Sequence, residues 1–198
     1  SNLHWLGYLS TIGVYGDHQG AWVDEDTPVN PPNKRLKMRV EAEQMWLNLH
    51  QTHKVPTHIF RLSGIYGPGR SVIDKILSGK ARRIDKPGQY FSRIHVVDIA
   101  RALYTSAVRP TPGEVFNLCD DHPAPACEVV EYASALLGKE TPPLVAFEQA
   151  ELSGMAREFY SSNRRVSNRK AKEILGLDLA FPTYREGLES IKGQLKAA

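Results

Sequence analysis

Thr11 closes an apolar run, Trp5 to Ser10, that reads as a buried strand entering the loop Ile12-Gly13-Val14-Tyr15-Gly16. A hydroxyl at such a strand end is placed to meet a ligand. Arg35 and Arg39 follow, four residues apart, a spacing that puts both side chains on one face of a helix. A guanidinium stays protonated at any ordinary pH, so Arg35 cannot shuttle a proton, whereas Arg39 can donate hydrogen bonds and add positive charge. Four groups near the loops can exchange protons: Tyr15, His18, Tyr66 and His95. Tyr15 and Tyr66 read more readily as packing residues, and His95, at a strand-to-helix joint, as a structural histidine.

Other clusters carry weaker signals. His50 and His53 lie three apart on a helical segment, but two imidazoles without a third ligand do not make a metal site, and none is assigned. Arg82, Arg83, Arg164 and Arg165 match the geometry of a phosphate, although such pairs are more often a solvated face. With 25 basic against 22 acidic residues the formal charge is only +3, which points to neither nucleic acid nor an anionic membrane. Two cysteines, Cys119 and Cys127, form no disulfide framework and suit a reducing cytoplasm. No stretch reaches the roughly 20 apolar residues of a membrane span, and the first residues lack the pattern of an export signal.

These side chains need elements to hold them. Pro28, Pro31 and Pro32 break the chain before a helix predicted over 33–53, with an apolar stripe of Met38, Ala42, Met45 and Leu49 widened by Leu36, Val40 and Leu47. Thr57 to Leu62 has strand composition and enters the turn-rich Gly64 to Gly69, so strand, helix and strand form a right-handed βαβ unit of a parallel sheet. A helix is predicted over 71–78, a short extended stretch over 90–96, a helix over 99–108 with Asp98 as N-cap or first-turn acid, and a strand over 115–118. Helices over 127–137, 150–159, 169–175 and 184–195 make the remainder mostly helical.

Four segments, taken in order, carry a family resemblance: Leu9-Ser10-Thr11-Ile12-Gly13-Val14-Tyr15-Gly16, Arg61-Leu62-Ser63-Gly64-Ile65-Tyr66-Gly67-Pro68-Gly69, Ile94-His95-Val96-Val97-Asp98-Ile99-Ala100 and Gly113-Glu114-Val115-Phe116-Asn117-Leu118. Followed by Ala171 to Gly176 and Tyr184 to Leu188, they cover nearly the whole chain. The sequence resembles the extended and atypical short-chain dehydrogenase/reductases, the NAD-dependent epimerase/dehydratase family.

The resemblance implies an α/β fold: part of an NAD(P)-binding Rossmann domain (1–63 and 93–120), its first strands missing, with a small, mostly helical substrate domain (64–92 and 121–198). It implies NAD or NADP as cofactor, a small polar substrate of sugar or nucleotide-sugar type, oxidoreduction or epimerisation through a transient ketone, and a homodimer built on helix 33–53. By position, Thr11 would hydrogen-bond the reacting oxygen, while Arg35 and Arg39 occupy the places of the family's Tyr-x-x-x-Lys pair, a register supported by Glu43. The catalytic set carried over is therefore Thr11, Arg35 and Arg39. Ser10, Thr11, Arg39, Leu62 and Ser63 would meet the cofactor, and Tyr66, Arg93 and Asn117 the substrate. The Arg that nucleotide-sugar members carry four residues before His95 is Phe91 here, with Arg93 nearby.

No glycine-rich turn precedes Trp5, and Gly64 to Gly69 has G-x-x-G-x-G spacing after the second strand, so it reads as a turn on the cleft rim. About two βαβ units, each of roughly 30 residues, are expected upstream. The competing expectation is a catalytically inactive dinucleotide-binding, sensor or structural protein, because the phenolic acid/base is absent.

Overall fold

In the computed structural model, which describes residues 2–197, the first apolar run becomes β1 (Leu6–Thr11), ending in a 3-10 turn over Ile12–Tyr15. A short β2 (Trp22–Val23) leads to α1 (Lys34–His53), whose N-cap Asn33 accepts a hydrogen bond from the Leu36 amide. β3 (Thr57–Leu62) is buried at every position. After it come β4 (Gly64–Tyr66), α2 (Val72–Leu77), β5 (Arg83–Asp85), β6 (Arg93–His95), α3 (Val96–Val108) and β7 (Val115–Leu118). The remainder holds α4 (Ala126–Leu137), β8 (Leu144–Ala146), α5 (Gly154–Phe159), β9 (Arg165–Val166), a π-helical turn over Ala171–Leu175 and α6 (Tyr184–Ala197).

The principal sheet has the order β1-β3-β7, all parallel, with Thr11 opposite Leu62 and Leu62 opposite Leu118. Side chains alternate across it. Ser10 and Arg61 face α1, where both meet Glu43. Phe60, Leu62, Phe116 and Leu118 face the other way and form one core with Ile99 and Ala102 of α3. The two helices thus cover opposite faces. Because both crossovers step the same way across the sheet, they have opposite hands, so one departs from the right-handed rule. The return from β3 to β7 passes through β4, α2, β5 and β6 before α3, and that excursion lifts the constraint on a helix that packs straight back.

A second core joins Tyr66 and Ile73 to Val129, Ala133, Tyr184, Leu188 and Ile191, gluing α2, α4 and α6 together. Three small parallel pairs, β2 with β9, β4 with β6 and β5 with β8, tie the loops to the helical layer. None of these pairs was legible beforehand, since strands of two or three residues show no periodicity.

Two expectations need correction. Met38 and Met45 of the predicted α1 stripe are 58% and 70% exposed, and the fully buried position is the acid Glu43, because the face toward β1 and β3 carries an ion pair at its centre. Asp98 is not a cap. His95 caps α3, while the buried Asp98 carboxylate accepts hydrogen bonds from the Ala180 and Phe181 amides and so fastens α3 to the segment before α6.

Candidate functional site

The C-terminal ends of β1 and β3 lie side by side, and the candidate site is built there. Thr11 keeps extended geometry, φ −145° and ψ 144°, and its hydroxyl oxygen accepts a hydrogen bond from the Gly13 amide at 3.1 Å. Its own O–H remains available to donate. Leu62 is its register partner, and the Oγ of the next residue, Ser63, is buried with no partner among the described residues. A Cβ on Gly13 would lie 2.9 Å from Leu36 Cδ2, so the first turns of α1 press against this loop.

Beneath it runs a buried polar chain. Ser10 Oγ donates to Glu43 Oε1 at 2.5 Å, and Arg61 Nη2 donates to Glu43 Oε2 at 2.8 Å. Arg61 Nη1 reaches Tyr15 OH at 2.9 Å, and that hydroxyl donates to Asn117 Oδ1 at 2.9 Å. Burial raises the Tyr15 phenol above its ordinary range despite the neighbouring guanidinium. Fully buried and already hydrogen-bonded on both sides, Tyr15 does not exchange protons with a ligand.

The other sequence-derived residues separate into groups. Arg35 is exposed and forms no ion pair among the described residues, while Arg39 Nη1 donates to Tyr8 OH at 3.1 Å and to the Leu9 carbonyl at 3.3 Å. Ser10 faces Glu43 and Asn117 faces Tyr15, so both belong to the buried chain. Tyr66 and Arg93 come together instead around Asp120. Tyr66 OH lies 3.4 Å from the Thr183 carbonyl and burial raises its pKa, while Arg93 Nη1 donates to the Phe91 and Ala124 carbonyls at 2.9 and 3.0 Å. His95 is buried, desolvation lowers its pKa, and its Nδ1 accepts from the Val97 amide. His18 Nε2 sits 3.1 Å from the Tyr15 carbonyl.

Arg82 and Arg83 line a shallow groove of about 230 Å³ with Pro142, Pro143 and Glu151, away from the β1 and β3 ends. Arg83 is paired with Glu131 at 2.6 Å. Arg164 and Arg165 donate to the Gly16 and Gly20 carbonyls at 2.8 and 2.7 Å, bracing the loop after Thr11. Among the described residues no group of three or more His, Cys, Asp or Glu side chains is arranged to hold a metal ion.

Three residues escaped sequence reasoning. Arg61 had a signal, since a charge inside an apolar strand must find a partner. Glu25, whose carboxylate accepts the Asn117 amide at 2.6 Å on the outer edge of β7, had none. Asp120, two residues past the end of β7, is 1% exposed, and burial pushes its carboxyl up to about 7 although Arg93 opposes the shift.

The sequence model of the NAD-dependent epimerase/dehydratase family matches residues 2–119. The chain belongs to that family. Its fold is the family's Rossmann fold, present in part, and the family's cofactor is NAD. Among sequence relatives, protein YeeZ of Escherichia coli is 33% identical over 136 residues, 68% of this chain and 47% of that one. The mouse dTDP-D-glucose 4,6-dehydratase is 29% identical over 119 residues, 56% of this chain and 34% of that one. A functionally unknown conserved protein from Silicibacter pomeroyi superposes with a TM-score of 0.90 at 53% identity, over 97% of this chain and 66% of that one. The chain therefore spans half or less of the length of the curated relatives it matches here. No helix among the described residues is long and apolar enough to cross a membrane.

Proposed function

We propose that the chain is the cleft-bearing part of an NAD(P)-dependent protein that oxidises and reduces, or epimerises, a small polar substrate of sugar or nucleotide-sugar type. The observation that carries this reading is the Thr11 hydroxyl at the end of β1, beside Leu62, with its proton free to donate. That hydroxyl binds and polarises a substrate oxygen as it becomes a carbonyl. Ser10, Glu43 and Arg61 hold the end of β1 in place beneath it.

The residues present fit the nicotinamide end of the cofactor. Leu62 gives an apolar wall, the unpartnered Ser63 hydroxyl a polar contact, and Arg39 hydrogen-bond donors for a ribose. When bound, NAD supplies the acceptance and return of a hydride. The family name and the kinship with a dTDP-D-glucose 4,6-dehydratase support the substrate class. A homodimer through α1, whose Met38 and Met45 are exposed, and a cytoplasmic location complete the proposal.

The test is Thr11→Ala in the full-length protein. NAD(H)-coupled turnover should fall on the order of a hundredfold, as when one donor to a developing oxyanion is lost. Turnover that stays unchanged would remove Thr11 from the mechanism.

A second reading, a dinucleotide-binding sensor without turnover, is favoured by one observation: Tyr15, Tyr66 and His95, three of the groups that could exchange a proton, are all buried. It predicts NAD(H) binding by calorimetry without turnover, and turnover appearing in Arg35→Tyr/Arg39→Lys. Turnover by the unaltered protein would eliminate it.

A further inference from the structure

We propose that Arg35 and Arg39 form a two-guanidinium site for an anionic group, a phosphate or carboxylate, at the end of β1. This deepens the function proposed above and rests on the cleft assigned there. The first two turns of α1 carry Lys34, Arg35, Lys37 and Arg39, all exposed, and the first acid is Glu41. None of the four lies within 4.0 Å of a carboxylate among the described residues. Such an arrangement opposes folding twice. Cations at a helix N-terminus face the positive end of the macrodipole, and like charges four apart repel. An anion bound between the two guanidinium groups reverses both signs.

Position makes this a site rather than a loose patch. Arg39 is anchored at the edge of β1 by Tyr8 OH and the Leu9 carbonyl, both met through Nη1, so its Nη2 and Nε donors form no hydrogen bond among the described residues. Leu36, next to Arg35, packs on Gly13, and the Gly13 amide binds Thr11 Oγ. Thr11 ends β1, Arg39 is held along the edge of that strand, and Arg35 stands one helical turn before Arg39 on α1. The carboxylate at the α1 N-terminus is otherwise occupied: Glu158 accepts a hydrogen bond from the Asn33 side-chain amide. Planar forks one helical turn apart suit the oxygens of a phosphate or carboxylate. The pair thus fixes ligand charge and orientation at the place where the family uses a proton donor.

The experiment is calorimetry of inorganic pyrophosphate on the full-length protein, with and without saturating NAD, and with NAD binding measured separately on the same preparation. Arg35→Gln and Arg39→Gln should each weaken pyrophosphate on the order of tenfold or more, the scale of a lost hydrogen bond to a charged group. Lys37→Gln, equally exposed but on another face, should leave affinity within about twofold, and Arg35→Lys/Arg39→Lys should retain binding. Survival of the site under NAD assigns it to a substrate anion, and loss under NAD to a cofactor phosphate; both support the proposal. Equal affinity in wild type and the two Gln variants, an equal loss in Lys37→Gln, or no binding at all would overturn it. A protein that binds NAD but not pyrophosphate refutes this site alone, whereas one that binds pyrophosphate but not NAD refutes the proposed function.

Discussion

Glu43 of α1 and Arg61 of β3 form an ion pair at 2.8 Å with side chains 1% and 8% exposed, tying the helix to the sheet. Removing one partner leaves the other charge buried and alone. Glu43→Ala should cost about 3–5 kcal/mol in denaturant unfolding, while Arg169→Ala, which breaks the exposed pair with Glu173, should cost under about 0.5 kcal/mol. Replacing both buried partners by apolar residues, Glu43→Leu/Arg61→Met, should recover much of the loss. A Glu43→Ala variant as stable as the Arg169→Ala one would show that the pair does not hold α1.

Stability should fall as pH rises from about 5 to 8, through Asp120. Its carboxyl is raised in the folded protein to about 7 by burial, against roughly 4 in an unfolded chain. The folded state therefore binds more protons across that window, so the contribution is complete below the unfolded value and is lost as pH passes the folded one. Its slope reaches at most about 1.4 kcal/mol per pH unit. Asp120→Asn keeps the shape and removes the proton, so its melting profile across this window should be flatter than that of wild type. Parallel profiles would mean Asp120 does not titrate there.

Two glycines of α6 should respond oppositely to alanine. Gly193 has open space where a Cβ would go, so Gly193→Ala should stabilise by up to about 1 kcal/mol through helix propensity. At Gly187 the same Cβ would fall 2.1 Å from Tyr66 OH and 2.7 Å from its ring, so Gly187→Ala should destabilise by about 1–3 kcal/mol. Thermal melts decide it, and a stabilised Gly187→Ala would contradict the packing of α6 on Tyr66.

Tyr15→Phe separates structure from chemistry. The change leaves Arg61 Nη1 and Asn117 Oδ1 without their shared hydroxyl, at a cost of about 1–3 kcal/mol in unfolding free energy. NAD(H) affinity should stay within about threefold, since the phenol is sealed from the cleft. Any loss of ligand affinity larger than the loss of stability would place Tyr15 in the site after all.

Much of the fold was legible because its long elements obey simple periods. β3 and β7 fall where strand composition puts them, and α1 begins at the Asn33 cap after the proline break. What could not be read were the partners. Of the apolar stripe expected to seat α1, Leu36 and Val40 do pack, against Gly13 and the core around Ile12 and Val14, but the fully buried position is Glu43, and nothing in local spacing links residue 43 to residue 61 across the sheet. The site divided along the same line: Thr11, Leu62 and Ser63 sit at adjacent strand ends as their motifs implied, whereas Asn117 turned out to serve Tyr15, a relation that exists only once β7 lies beside β3.

The outer side of β1 has a further consequence. Leu6 pairs its amide with the Pro56 carbonyl, and by the parallel register Tyr8 and Ser10 also turn theirs toward β3, whereas those of Gly7, Leu9 and Thr11 point away from the sheet. Deuterium should therefore enter this strand in an every-other-residue rhythm, slowly at positions 6, 8 and 10 and quickly at 7, 9 and 11. Any segment that aligns along that side would erase the rhythm, which makes the exchange pattern of six amides a direct reporter of whether the sheet extends beyond β1.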